Sequence, residues 1–343
     1  MRIGIDVMGG DNAPDAILAG SLDAVDLLSA DDRLVLIGDE DIIHQVIAER
    51  GLKSERRIEL EPTTQTIGMD EPPIHALRAK LDSSIVRLAW LGSKRAGDKA
   101  CDVIISAGNT GACVAAAQMA MRRLPGVNRP GIAVTMPTFY GPIIVCDVGA
   151  NPEPKPQHLY QYGQMANVYA RRVIGVDRPR IALLSIGGEE GKGNALVKET
   201  AKLMRADKVL NYVGYTEGRD LFDNRADVII TEGFTGNVVL KLAEGLAAGL
   251  FKTIAHEIFE VDPELAMRFE PVVRRIYAKH DYHEYGGAPL LGANGICIIC
   301  HGSSEARTIK AAIAAAIKFA NLGVNDGIVE ALAQPAPVRE GAA

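Results

Sequence analysis

The amino-acid sequence predicts an α/β fold: a three-layer α/β/α, doubly wound and mainly parallel sheet with a helical protrusion. Three observations predict it. Short runs of Val, Ile and Leu recur along the chain, each followed by a small or polar loop and then a helical pattern. The runs are continuously apolar rather than alternating, the mark of strands covered on both faces. The chain is also long enough, at 343 residues with 48% hydrophobic, to bury a full core. Strand-then-helix alternation demands right-handed crossovers, which wind the sheet in both directions.

Strands are predicted at residues 3–7, 34–38, 103–106, 132–136, 143–147, 181–186, 228–231 and 296–300. After the first, Asn12 can cap a helix, Pro14 suits its opening turn, and Ile17, Leu18, Leu22, Val25 and Leu28 form one apolar stripe. Later helices are predicted at 112–123, 158–173, 194–205, 237–260 and 305–322. Residues 262–285 break the rhythm with charge and aromatics, Phe269, Tyr277, Tyr282 and Tyr285 among them. They read as a helical protrusion, about 255–285, of one domain over 1–333. The tail 334–343, with Pro335, Pro337 and Gly341, reads as loose.

Net charge of −6 and only 5% aromatics argue against a nucleic-acid partner, which wants a basic face or stacking platforms. No apolar run reaches the roughly 18 residues of a membrane-spanning helix. Asp6 sits where a secretory signal needs an apolar core. The five cysteines are odd in number and scattered, unlike a disulfide framework. A reduced cytoplasm is the expected compartment.

Ligands of open α/β sheets bind beyond the carboxyl ends of the strands, so those ends are the candidate site. They run into Asp6-Val7-Met8-Gly9-Gly10-Asp11-Asn12, Ser106-Ala107-Gly108-Asn109-Thr110-Gly111 and Asp147-Val148-Gly149-Ala150-Asn151. Three more are Gly187-Gly188-Glu189-Glu190-Gly191-Lys192-Gly193-Asn194, Thr231-Glu232-Gly233-Phe234-Thr235-Gly236-Asn237 and His301-Gly302-Ser303-Ser304-Glu305. Any one of them is an ordinary turn with a capping residue. Together they carry more polar groups than capping needs. Free N–H groups at the following helix starts favour an anion, and Lys192 between two glycines adds a point charge. The constellation predicts a small-anion site, most plausibly phosphate, with these turns meeting at one rim.

The same loops match named motifs only in part. The run from Gly187 to Lys192 is Walker-like, but Gly193 stands where Ser or Thr would hold magnesium. Gly191 and Gly193 open a dinucleotide fingerprint whose third glycine is Leu196. There is no Gly-x-Ser-x-Gly elbow, and no histidine has Asp five positions on. Cys297-Ile298-Ile299-Cys300-His301 matches a haem-attachment pattern, yet its spacing puts the two sulfurs on opposite faces of a buried strand. Cys101, Cys113 and Cys146 read as packing residues. His301 reads equally as a capping or a catalytic histidine.

Taken with Ala13-Pro14, Gly233 to Leu240 and Tyr285-Gly286-Gly287-Ala288-Pro289-Leu290-Leu291-Gly292, these loops resemble the bacterial phosphate acyltransferases of phospholipid synthesis, the PlsX family. The match runs in order over about residues 3–320. It departs at Glu232, where the family usually has Asp, at Gly188, where an acid is common, and in the prolines 152, 154 and 156. The resemblance implies transfer of a fatty acyl group from acyl-[acyl carrier protein] to inorganic phosphate, giving acyl phosphate. It implies no metal and no other cofactor. It further implies a fold similar to the isocitrate and isopropylmalate dehydrogenases and to phosphotransacetylase, a homodimer, and peripheral contact with the inner face of the cell membrane. The downstream glycerol-phosphate acyltransferase is a candidate neighbour there.

For that chemistry, the expected phosphate ligands are Lys192 with the amides of Gly191, Gly193 and Asn194, faced by Asn109 and Thr110. Asn237 and Thr235 are expected at the oxyanion or at phosphate, and His301 as proton partner of the leaving thiol. Asp6, Asp11, Asn12, Asp147 and Asn151 are expected to organise loops, because carboxylates beside phosphate repel it. An acidic carrier protein needs a basic dock, for which Arg122, Arg123, Arg171, Arg172, Arg274, Arg275 and Lys279 are candidates. Residues 265–285 are the expected membrane contact. Two rivals are a nicotinamide-dependent dehydrogenase, weakened by Leu196, and a non-catalytic scaffold, which has no use for six polar loops.

Overall fold

The computed structural model describes residues 1–280 and 285–333. The expected tail 334–343 and Tyr282 lie outside the described residues, as do the side chains of Arg274, Tyr277 and Lys279. The strands are β1 (Arg2–Asp6), β2 (Arg33–Gly38), β3 (Ile58–Pro62), β4 (Val103–Ser106), β5 (Gly131–Met136) and β6 (Ile143–Cys146). They continue with β7 (Ile181–Leu184), β8 (Tyr212–Thr216), β9 (Val228–Ile230), β10 (Ala288–Leu291) and β11 (Ile296–Ile299). All lie in one sheet, in the order β3-β2-β1-β4-β11-β10-β5-β6-β9-β7-β8.

The helices are α1 (Asp15–Asp23), α2 (Glu40–Glu49), α3 (Pro73–Ala79), α4 (Ser84–Leu91), α5 (Thr110–Ala120) and α6 (Pro156–Tyr169). They continue with α7 (Ala195–Ala206), α8 (Gly233–Val261), α9 (Pro263–His280), α10 (Ala306–Asn321) and α11 (Val324–Ala333). Side chains two apart along a strand share a face, and the sheet is covered on both. Val35, Ile104, Ile132, Val145 and Cys297 pack with α4, α5 and the start of α8. Leu34, Ile105, Ile298 and Cys300 pack on the other face with α1, α2 and α10. On that same side, Ala133, Ile144, Ile181 and Val228 pack with α6, α7 and α11. Cys297 and Cys300 therefore sit in opposite layers, and all five cysteines are buried thiols.

The sheet is mainly parallel, as expected, but it reverses direction at its centre. β1, β2, β3, β4 and β11 are mutually parallel. β10 is antiparallel to both β11 and β5, and β5 is antiparallel to β6. β6, β9, β7 and β8 are again mutually parallel. The two parallel blocks consequently run in opposite directions. The loops after β1, β4 and β11 leave one edge of the sheet, and those after β6, β7 and β9 leave the other. A single rim holding all six turns is corrected by this reversal.

Two local expectations also change. Asn12 does not cap α1, whose N-terminus has no side-chain cap. Its Nδ2 instead donates to the carbonyls of Ser303, at 3.1 Å, and Ser304, at 3.3 Å. The helix from 233 is one 29-residue element, and only Gly233 and Gly236 in it are buried. α8 and α9 pack against each other, so the protrusion begins well before residue 255. Asp262 starts α9 by accepting from the N–H groups of Glu264 and Leu265. Among the described residues no single helix is long and apolar enough to cross a membrane.

Candidate active site

The loops after β1, β4 and β11 are stitched into one body. Asp6 is fully buried and accepts from Ser106 Oγ at 2.7 Å and from the Met8 N–H at 3.2 Å. Burial pushes its carboxyl up, against the hydrogen bonds from Ser106 and Met8 that pull it down. Ser106 Oγ also accepts from the Gly108 N–H, at 3.0 Å. The Asp11 N–H donates to the Gly302 carbonyl at 2.7 Å. Asn109 caps α5 by accepting from the Ala112 N–H at 3.1 Å, while its Nδ2 donates to the carbonyls of Gly68, Met69 and Glu71. Both ends of the Asn109 amide are thus committed to backbone.

The opposite block has its own organiser. Asp147 accepts from the N–H groups of Ile132, Gly149, Ala150 and Asn151, the shortest at 2.7 Å. Burial pushes its carboxyl up while those four bonds pull it down. Asn151 Nδ2 donates to Tyr162 Oη at 2.8 Å and to the Pro130 carbonyl at 2.7 Å. The Asn151 carbonyl accepts from the Gly233 N–H at 2.8 Å, which docks the start of α8 on this loop. The approach is so close that a Cβ at Gly236 would overlap the Asp147 carbonyl oxygen.

Between the blocks lies a cleft of about 120 Å³ over the central strands. Ile132, Val134, Val148, Ala288 and Ile299 make its apolar floor. Thr110, Asn237, Lys241, Glu244 and His301 line it with polar groups. Thr110 is the first residue of α5, so the positive end of that helix faces the cleft. Asn237, Lys241 and Glu244 follow at steps of four and three on α8 and share a face. Lys241 Nζ hydrogen-bonds His301 Nε2 and lies 3.3 Å from Glu244 Oε2. The other ring nitrogen, His301 Nδ1, is 2.7 Å from Ser303 Oγ. Sequence reasoning found Thr110, Asn237 and His301 and missed Lys241 and Glu244.

A second pocket, about 360 Å³, lies beyond the other side of the α8 start. Gly193, Asn194, Thr231, Glu232 and Thr235 line it, with Leu184, Leu196 and Val239. Ser185 lines it too, with a buried Oγ that has no partner among the described residues, while Asn194, Glu232 and Thr235 are engaged at helix starts. Asn194 caps α7 by accepting from the Val197 N–H at 2.9 Å. Glu232 caps α8, taking the N–H groups of Phe234 and Thr235 at 2.7 and 2.9 Å and the Thr235 hydroxyl as well. A carboxylate thus occupies the helix end where an anion was expected. Lys192 is exposed and lines neither cavity. The expected pairing of Lys192 with Asn237 in one pocket does not form: Asn237, within α8, lines the cleft, whereas Lys192, in the loop before α7, lines neither cavity.

Arg122, Arg123, Arg171 and Arg275 are exposed. Arg172 is spent on the turn between α10 and α11, where Nη1 donates to the Leu322 carbonyl at 3.1 Å. Among the described residues no three His, Cys, Asp or Glu side chains are grouped to hold a metal ion.

Sheet order and layers place the chain in a fold shared with phosphotransacetylases. It matches a phosphotransacetylase from Streptococcus pyogenes at a TM-score of 0.59, with 15% identity, over 96% of this chain and 94% of that one. EutD phosphotransacetylase from Staphylococcus aureus matches at 0.55, also with 15% identity, over 95% and 94%. Residues 1–326 match the family model described as fatty acid synthesis protein, and the chain belongs to that family, PlsX. A phosphate acyltransferase from Geotalea uraniireducens is 43% identical over 343 residues, covering 98% of this chain and 96% of its own. One from Heliobacterium modesticaldum is 40% identical over 339 residues, covering 98% of each. The protein is a phosphate acyltransferase of fatty acid and phospholipid synthesis.

Proposed function

We propose that the cleft transfers a fatty acyl group from acyl-[acyl carrier protein] to inorganic phosphate. The observation that carries this reading is a polar rim of Thr110, Asn237, Lys241 and His301 above an apolar floor, which suits an oxyanion beside an acyl chain. Hydrogen phosphate is itself the nucleophile. Its oxygen forms the bond to the thioester carbon, the C–S bond breaks, and the proton of hydrogen phosphate ends on the departing thiol. Holding both partners in contact supplies several kcal/mol of the barrier, of the order found for oriented reactants. Asn237 Nδ2 is the donor for the tetrahedral oxyanion, worth about 2.7–4 kcal/mol when well placed. His301, held between Ser303 and Lys241, passes the proton to sulfur.

The carrier protein is acidic, and the exposed arginines 122, 123, 171 and 275 support a basic dock for it. Phe234, Val238, Leu242, Leu246, Leu250 and Ile254 are exposed at four-residue steps along α8, which supports a homodimer contact. Leu265 and Met267 on α9, with half-buried Phe269, Val272 and Val273, support a shallow contact with the inner membrane face, beside the glycerol-phosphate acyltransferase. The test of the reaction is to mix palmitoyl-carrier protein, phosphate and the protein and to trap product with hydroxylamine. Hydroxamate that requires phosphate supports the reading, and hydroxamate formation independent of phosphate overturns it.

A further inference from the structure

Glu244 is the odd member of the cleft. A carboxylate next to a phosphate site should repel the anion, yet this one is largely buried at the lining of the cavity, with 16% of its side chain exposed. Its two oxygens differ. Oε2 faces Lys241 Nζ at 3.3 Å and His301 Nε2 at 3.9 Å. Oε1 is buried and, among the described residues, has no hydrogen-bond partner. An orphaned buried acceptor is costly unless a ligand brings it a donor. The adjacent Lys241 is half-exposed at the cavity mouth. Its ammonium has three N–H donors, of which Glu244 and His301 take two. The third is left for the cleft.

One cation and one acceptor side by side match an oxyanion that still carries a proton. Hydrogen phosphate has P–O⁻ groups for an ammonium and one P–O–H for a carboxylate. Sulfate, equal in size and charge near neutral pH, has no O–H to give. We propose that Lys241 and Glu244 form the receptor for hydrogen phosphate, Lys241 holding the charge and Glu244 Oε1 accepting the P–O–H. Glu244 thereby rejects sulfate. This rests on the reading that the cleft takes phosphate, and it assigns to Lys241 the cationic role the sequence pointed to at Lys192. It also explains why a site for an anion carries an acid: the carboxylate repels anions without a proton and pairs with one that has it. Buried polar groups that must pair with a substrate proton discriminate far better than shape alone does.

The test is calorimetric titration of inorganic phosphate and of sulfate into the full chain, for the wild type, Glu244→Gln and Lys241→Met, with thermal melts to confirm folding. The wild type should bind phosphate at least about tenfold more tightly than sulfate. Glu244→Gln, whose amide can donate to either anion, should bring the two affinities to within about threefold of each other. Lys241→Met should weaken both, and Lys241→Arg should restore phosphate. Equal wild-type affinity for the two anions, or undiminished discrimination in Glu244→Gln, overturns the receptor. The hydroxylamine assay then separates the two ideas: discrimination without acyl phosphate formation leaves the receptor standing and removes the reaction.

Discussion

Two cavities share the first turns of α8, one on each side. The pocket beside α7 holds the residues that looked most like a phosphate site: Gly193, Asn194 and Thr235, with Lys192 nearby. The cleft over β5 and β10 holds Asn237, Lys241, Glu244 and His301. In the pocket, Asn194 and Glu232 spend their oxygens on helix N–H groups, and Thr235 donates to Glu232. In the cleft, a carboxylate oxygen is buried without a donor, and an ammonium has one N–H left. Glycine, Asn and Thr after a strand do not by themselves distinguish a ligand site from a well-capped helix. What distinguishes the cleft is an unpartnered carboxylate oxygen beside an ammonium, where the pocket leaves only the neutral Ser185 hydroxyl without a partner among the described residues.

Several substitutions break or sharpen that contrast. The largest effect is expected on the frame that holds the cleft. Asp147→Ala strips an acceptor from four backbone N–H groups and should cost roughly 3–5 kcal/mol in denaturant unfolding, as for other broken buried charge partnerships. Next is Gly236→Ala, whose new Cβ meets a backbone oxygen that cannot swing away; a loss of about 3 kcal/mol is expected by the same measurement. Asn194→Ala comes third. It removes only a cap, so about 1 kcal/mol of stability should go.

The smallest effect concerns pH and the block that carries the pocket. Burial pushes the Asp227 carboxyl up, but bonds from the Arg180 guanidinium and N–H more than reverse this, leaving it below the usual carboxylate range. A depressed folded-state value means the contribution is present above the unfolded value, near 3.9, and is lost as pH falls through the folded one. Unfolding midpoints should therefore drop on acidification below about pH 4, and Asp227→Asn should show a shallower drop. An equal slope in the variant removes Asp227 from the account.

Much of the fold was legible because most strands are apolar runs covered on both faces. β3 and β8 were missed for the converse reason. They are the two edges of the sheet, half-exposed, and read Ile-Glu-Leu-Glu and Tyr-Val-Gly-Tyr, with no continuous apolar run. β10 was hidden by Pro289, which is paired only with β11, on the side where Ile298 lies, while pairing with β5 begins at Leu290. The reversal between blocks has no local signal, since nothing in a strand says which neighbour it will take. At the site, Thr110, Asn237 and His301 were visible because they stand at or just beyond strand ends. Lys241 and Glu244 lie inside a long helix. Their signal was the four-then-three spacing from Asn237, which places all of them on one face. Glu232 stood out as a departure, and its capping of α8 explains why Thr235 is unavailable to an anion.

The most direct measurement compares two asparagines on either side of α8, Asn237 and Asn194, as alanine variants in the hydroxylamine assay at saturating acyl-carrier protein. Asn237→Ala should lose about a hundredfold or more in kcat, as when an oxyanion donor is removed, with its melting temperature near that of the wild type. Asn194→Ala should keep kcat within about threefold despite melting earlier. If instead Asn194→Ala abolished turnover while Asn237→Ala remained active, catalysis would belong to the pocket beside α7 and not to the cleft.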